Sequence, residues 1–295
     1  MKKTFSFLAL GLVAGLAIVS CQKEAADVNI NAQLSKEIVF KANATKATAV
    51  TALTTFNVLA TKGATETSQE FNIAFNKVGE TTTYTGATPQ YWITPDPTYH
   101  FYASNAAITY AAQASTVVVA DNATDVVCAK ALAPTYLSSN TLTFDHIFAR
   151  IGTITINTQT GYELSDVSAT VKYATSGTWN LYTDKWSAHA AEAATPVAAF
   201  SGNTAAQTST NDVYVVPATS YTAAGTNQLS VTYTLTKGAY TITQTKTANL
   251  PLQIGKINNI TATVDGGDAS EIEFIITVNP WTANDMVEGT DFNWD

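Results

Sequence analysis

The chain has 295 residues, 46% of them hydrophobic and only 13% charged, against about 25% charged in ordinary globular proteins. That length accommodates two domains of roughly 100 to 200 residues each, and the polar remainder, rich in Thr, Ala, Ser and Asn, describes a weakly charged folded surface and not a disordered chain. The formal net charge is -8, and loss of the two positive charges of Lys2 and Lys3 would take it to -10, which argues against nucleic acid as a partner.

Met1-Lys2-Lys3 supplies a positive start, and Phe5 to Val19 an apolar run too short for a comfortable permanent span, so residues 1–20 read as a secretory signal. The run ends in Ile18-Val19-Ser20-Cys21, which resembles a bacterial lipobox. Cleavage between Ser20 and Cys21 would make Cys21 the mature N-terminus and its sulfur the point of diacylglycerol and palmitate attachment. Acyl chains hold at about 0.8 kcal/mol per buried CH2, so such an anchor would hold the protein durably to a membrane. The alternative is a plain signal peptide with an incidental cysteine. Against it stand the position of Cys21, its flanks and the rarity of cysteine, of which the chain has two.

Residues 21–36 are polar and lack periodicity, as a tether would. From Glu37 onward the hydrophobic period is two. Glu37 to Lys41 reads as a first strand and Asn43 to Ala47 as the loop after it. Phe71, Ile73 and Phe75 alternate with polar or small residues, as do Val167 to Tyr173 and Leu229 to Leu235, and Ile272, Phe274, Ile276 and Val278 share a face against Glu273, Ile275 and Thr277. Such segments are half-buried strands. Between them lie turn signals such as Lys62-Gly63, Thr160-Gly161, Lys237-Gly238 and Asp265-Gly266-Gly267-Asp268, and no segment carries a long helical stripe. Many short strands without intervening helices predict antiparallel β-sandwiches. The turn-rich stretch Ala133 to Asn140 is the best boundary, giving an N-terminal sandwich over 37–137 and a C-terminal sandwich with its tail over 138–295.

The residues that carry chemistry are sparse. His100, His146 and His189 stand far apart and none has metal-ligand spacing with Cys, Asp or Glu. His146 shares strand parity with Leu142, Phe144 and Phe148, which suits a structural histidine better than a general base. Cys128, inside Val126-Val127-Cys128-Ala129, reads as a small core residue. There is no nucleophile elbow, phosphate loop or HExxH helix. No catalytic residue, cofactor or metal is therefore assigned. Trp179, Tyr182 and Trp186 fall close together and offer two readings: platforms for sugar rings on a glycan-binding surface lipoprotein that does not polymerise, or a hairpin packed on the core.

Several stretches together resemble the fimbrillin-like family of Bacteroidetes surface proteins, which includes pilus subunits. They are the lipobox at Cys21, Ile38-Val39-Phe40 with Ala44-Thr45-Lys46-Ala47-Thr48, Tyr99-His100-Phe101-Tyr102-Ala103, Leu142 to Ile151, and Val278-Asn279-Pro280-Trp281. The resemblance implies all-β architecture with two transthyretin-like antiparallel β-sandwich domains, and no enzyme. It also implies a fimbrial role in cell adhesion, other pilus subunits as partners, the outer membrane reached through the lipid anchor, and a receptor on a host or bacterial surface. In pilus-building members an N-terminal strand is removed by proteolysis and replaced by a strand from another subunit. Here the cut would fall at Lys46-Ala47, where an arginine is expected, and the chain's single arginine is Arg150. Candidate donated residues are Ile272, Phe274, Ile276 and Val278, or Phe292 and Trp294 of the tail.

Replacing the anchoring thiol, Cys21→Ser, should release the protein from the membrane fraction and abolish labelling by a palmitate analogue. A variant that still pellets with membranes and still labels would exclude lipidation at Cys21.

Overall fold

A computed structural model describes residues 36–44, 53–92, 99–132, 134, 140–218, 227–264 and 273–280. The described residues are all-β. The first nine strands are β1 (Val39–Ala44), β2 (Thr55–Lys62), β3 (Ser68–Lys77), β4 (Thr83–Gly86), β5 (Tyr99–Ser104), β6 (Ile108–Thr109), β7 (Thr116–Val119), β8 (Val127–Leu132) and β9 (Asn140–His146). The remainder are β10 (Ala149–Thr158), β11 (Glu163–Tyr173), β12 (Gly177–Asn180), β13 (Lys185–His189), β14 (Ala193–Pro196), β15 (Ser201–Gly202), β16 (Ala206–Val215), β17 (Asn227–Lys237), β18 (Tyr240–Leu250), β19 (Lys256–Val264) and β20 (Glu273–Pro280).

Seven strands close into a barrel in the order β1-β4-β3-β2-β5-β8-β9. All its pairings are antiparallel except the one that closes it, β1 against β9. Period-two alternation explains its core: Phe56 and Val58 of β2, Phe71 and Phe75 of β3, Phe101 and Ala103 of β5, and Leu142 and Phe144 of β9 all turn inward. Aromatic rings fill the centre in edge-on contacts such as Phe56 with Phe144, centroids 5.0 Å apart, a geometry that gains beyond area burial. Although β9 starts after residue 137, it belongs to this barrel.

The second half packs a five-stranded sheet, β15-β16-β10-β19-β20, against a four-stranded one, β14-β11-β17-β18. Their facing residues, among them Ile154, Ile156, Val171, Leu229, Val231, Tyr233 and Ile260, form a separate apolar core. One pairing here is also parallel, β10 with β19. Its register slips around Gly152, where a Cβ would lie 2.3 Å from the Asn259 Oδ1 and 2.8 Å from Ile257 Cγ2, so only glycine fits. Asn259 Oδ1 accepts the Thr153 N–H at 2.9 Å and secures the bulge.

A fourth sheet, β13-β12-β7-β6, takes two strands from each half. Antiparallel pairing of β7 with β12 sets Val117 opposite Trp179 and Val119 opposite Gly177. Beneath it lies a third core built from both halves, including Leu59, Tyr102, Cys128, Phe148, Trp179 and Trp186. The indole N–H of Trp186 donates to the Ile147 carbonyl at 3.1 Å, and its ring meets Phe148 at 5.3 Å. The two halves are thus joined by a shared sheet and a shared core as well as by the chain.

Candidate assembly site

The strand in the most consequential position is β1. The sequence places it at Glu37 to Lys41; the structure extends it to Ala44, because β9 runs alongside and pairs Phe40 to Ala44 with Asn140 to Phe144 in parallel register. On its other side Val39, Phe40 and Lys41 face Thr85, Tyr84 and Thr83 of β4. The Ile38 N–H donates to Gln90 O at 2.7 Å, the Ala42 N–H to Thr82 O at 3.3 Å, and the Trp92 N–H to Lys36 O at 3.1 Å.

Alternation turns Ile38, Phe40 and Ala42 into the barrel, where they are 2%, 0% and 5% exposed, while Lys41 points outward. The Phe40 ring stands edge-on to Phe75 at 5.0 Å and to Phe101 at 4.9 Å. Burying side chains of the size of Ile38 and Phe40 is worth about 1.5 to 3 kcal/mol each. A whole domain is stable by only about 5 to 15 kcal/mol, so loss of β1 would remove a large share of the barrel's stability. The slot's demands are explicit: an extended strand, large apolar residues two apart, a small third one, and free backbone groups for both β4 and β9.

Of the residues singled out in the sequence, Ser20, Cys21, Lys46, Ala47, Ile272, Phe292 and Trp294 lie outside the described residues. Phe274, Ile276 and Val278 fall in β20, where their backbones face Ala262, Ile260 and Asn258 of β19. The aromatic cluster does not present a platform: Trp179 and Trp186 are 5% and 3% exposed, and Tyr182 alone stands out at 42%.

His146 is buried, as its parity with Leu142 and Phe144 predicts, and its Nδ1 lies 2.5 Å from Asp125 Oδ2. Burial pushes the Asp125 carboxyl up, against the opposing pull of His146. Cys128 and His146 line the same cleft of about 420 Å³ between the halves. Burial raises the thiol to about 12, and its Sγ lies 3.6 Å from Ser104 Oγ. A thiol so placed is the opposite of an activated nucleophile. Among the described residues no group of three or more His, Cys, Asp or Glu is arranged to hold a metal ion.

The model of one protein family matches residues 39–281, from the first residue of β1 to just past β20, and that family is the fimbrillin-like one. The chain belongs to the fimbrillin-like family. Solved structures resembling it include a candidate cell adhesion protein of Bacteroides ovatus, 14% identical, with 84% of this chain and 98% of that one covered at a TM-score of 0.46. Another candidate cell adhesion protein, of Bacteroides eggerthii, is 10% identical, with 83% and 96% covered at 0.45. A fimbrial assembly protein of Parabacteroides distasonis is 11% identical, with 83% and 99% covered at 0.41. No curated protein matches the sequence.

Sequence reasoning found the strand but not its partners. The parallel pairing joins residues about a hundred positions apart, and nothing local to either strand encodes it.

If β1 is an integral part of the barrel, Phe40→Ala should cost about 3 to 5 kcal/mol in chemical denaturation, while its exposed neighbour Lys41→Ala should stay within about 0.5 kcal/mol of the parent. Equal, small effects at both positions would show that β1 is dispensable.

Proposed function

We propose that this fimbrillin-like chain is a structural subunit or accessory adhesin of outer-membrane pili, anchored at first through lipid on Cys21, and that it assembles by strand exchange after β1 is removed. Family membership supports a pilus-related role at the cell surface. The observation that carries the mechanism is the position of β1: a single N-terminal strand, just before the Lys46-Ala47 candidate cut, that closes the barrel and supplies Ile38, Phe40 and Ala42 to its core.

Removing β1 exposes paired backbone edges on β4 and β9 above an apolar slot, a template for a strand from another subunit. Donation by β20 would cost that strand its eight-residue pairing with β19. We therefore rank Phe292 and Trp294 of the tail ahead of Phe274, Ile276 and Val278 as donors. We further propose two transthyretin-like units, divided at Ile147-Phe148 between β9 and β10 and not at 137, since β9 pairs within the first barrel. The assembled subunits would carry the surface that meets a host or bacterial receptor. Burial of Trp179 and Trp186 removes the support for a separate glycan-binding reading.

With a protease site engineered at Lys46, cutting should yield oligomers that resist detergent, and deletion of residues 285–295 should abolish them. Cut protein that stays monomeric would reject strand exchange; oligomers that persist without the tail would shift donation to another segment.

A further inference from the structure

The described residues contain three open sheets, and five of their six edges are blunted or interrupted in ways that discourage pairing. β6 and β15 have two residues each, β14 has four and ends in Pro196, β13 has five with Lys185 at one end, and β20 ends in Pro280. The sixth edge is β18. It has 11 residues, pairs without a register shift along its whole length with β17, and contains no proline and one charge, Lys246. Long, regular edges of this kind are templates for another strand.

The direction of its backbone groups follows from the hairpin. Gly238, at φ 60°, and Ala239 form a two-residue turn closed by Lys237 opposite Tyr240, the geometry of a type II′ hairpin. The closing pair exchanges backbone hydrogen bonds, and hydrogen-bonded pairs alternate along an antiparallel ladder. Even-numbered residues of β18 therefore bond toward β17. The N–H and C=O groups of Thr241, Thr243, Thr245, Thr247 and Asn249 point away from it. The side chains agree: hydroxyl pairs occur at Thr232–Thr245 (2.8 Å), Thr234–Thr243 (3.0 Å) and Thr236–Thr241 (3.2 Å), the non-hydrogen-bonded sites where cross-strand side chains come closest.

We infer that β18 is a self-complementary docking edge, through which two copies of this chain pair antiparallel about a two-fold axis at Thr245. The outward-facing set of backbone groups permits only registers in which odd residues meet odd residues. Centring the axis on Thr245, the midpoint of the strand, pairs all of Tyr240–Leu250 with its copy and makes about ten hydrogen bonds, two per facing pair of outward residues. Shifting the axis to residue 246 sets Lys246 against its own copy, and like charges directly opposite are unfavourable. At Thr245, by contrast, Lys246 faces Gln244, Ile242 faces Ala248, and Thr243 faces Thr247. The threonine rows then run unbroken from Thr232 and Thr245 of one copy into Thr245 and Thr232 of the other. Two four-stranded sheets become one of eight. This contact involves neither β1 nor its slot, so it is independent of strand exchange and would join subunits side by side.

The test uses the intact, uncut chain carrying Cys21→Ser, which leaves Cys128 as its sole thiol. Light scattering after gel filtration over a hundredfold concentration range should show a monomer passing to a dimer. Added salt should favour the dimer, because each copy carries a net negative charge. Thr245→Pro removes an outward N–H that an edge strand does not use internally, and Thr245→Lys places two cations on the axis. Each should abolish the dimer while leaving circular dichroism and the melting temperature close to the parent's. Under oxidising conditions Thr245→Cys should give a disulfide-linked dimer, since residues facing across the axis lie within bridging distance. Thr243→Cys should not, as it is four residues out of step with its copy. A chain that is monomeric throughout, a dimer unaffected by both Thr245 variants, or linkage at 243 in place of 245 would each overturn the proposal.

Discussion

A β-barrel is free of edges only while every strand is in place, and in this protein the last gap is filled by the six residues of β1. That closure is parallel, against β9, while every other pairing of the barrel is antiparallel. The arrangement follows from where β1 lies in the chain. Among the described residues β1 is the first strand and the rest of the barrel follows from its C-terminal end, so no described segment has to be threaded through the fold for it to leave. The same strand inserts Phe40 between Phe75 and Phe101. Two properties that make a strand exchangeable, an end position and a large contribution to the core, coincide in one short segment.

The fold treats its edges unequally. Closure hides those of the barrel, and short length or proline blunts most of those elsewhere. Between the halves, the sheet of β6, β7, β12 and β13 and the core around Phe148, Trp179 and Trp186 act as a common wall. The barrel is therefore coupled to the second half, because Leu59 of β2 and Tyr102 of β5 reach into the same core. Through these packed side chains and paired backbone, a force on one half passes to the other.

The all-β character and most of the strands were legible because period-two alternation is local: Phe71, Ile73 and Phe75, or Leu229 to Leu235, announce their faces within a few residues. The buried histidine His146 was legible for the same reason. What escaped was pairing at long range. Nothing in Val39–Ala44 says that its neighbour is Asn140–His146, and the boundary suggested by the turn-rich stretch near residue 137 ignores that β9 returns to the first barrel. Trp179 and Trp186 were readable as a hairpin packed on the core, and they face each other across β12 and β13; that β12 also pairs with β7 of the first half was not, because the sequence carries an aromatic residue's size but not the neighbour that covers it. The assembly site was readable as a strand and a loop; that the strand closes a barrel required the fold.

The claim that β1 occupies a slot made to be refilled is tested most directly by amide hydrogen exchange on β4 and β9 in three states: the intact subunit, the subunit cut after β1, and the cut subunit in its assembled form. The account predicts strong protection at Thr83 to Thr85 and Asn140 to Phe144 in the intact protein, loss of it once β1 departs, and its return on assembly. Protection that is unchanged when β1 is removed, or that stays lost in the assembled form, would contradict it.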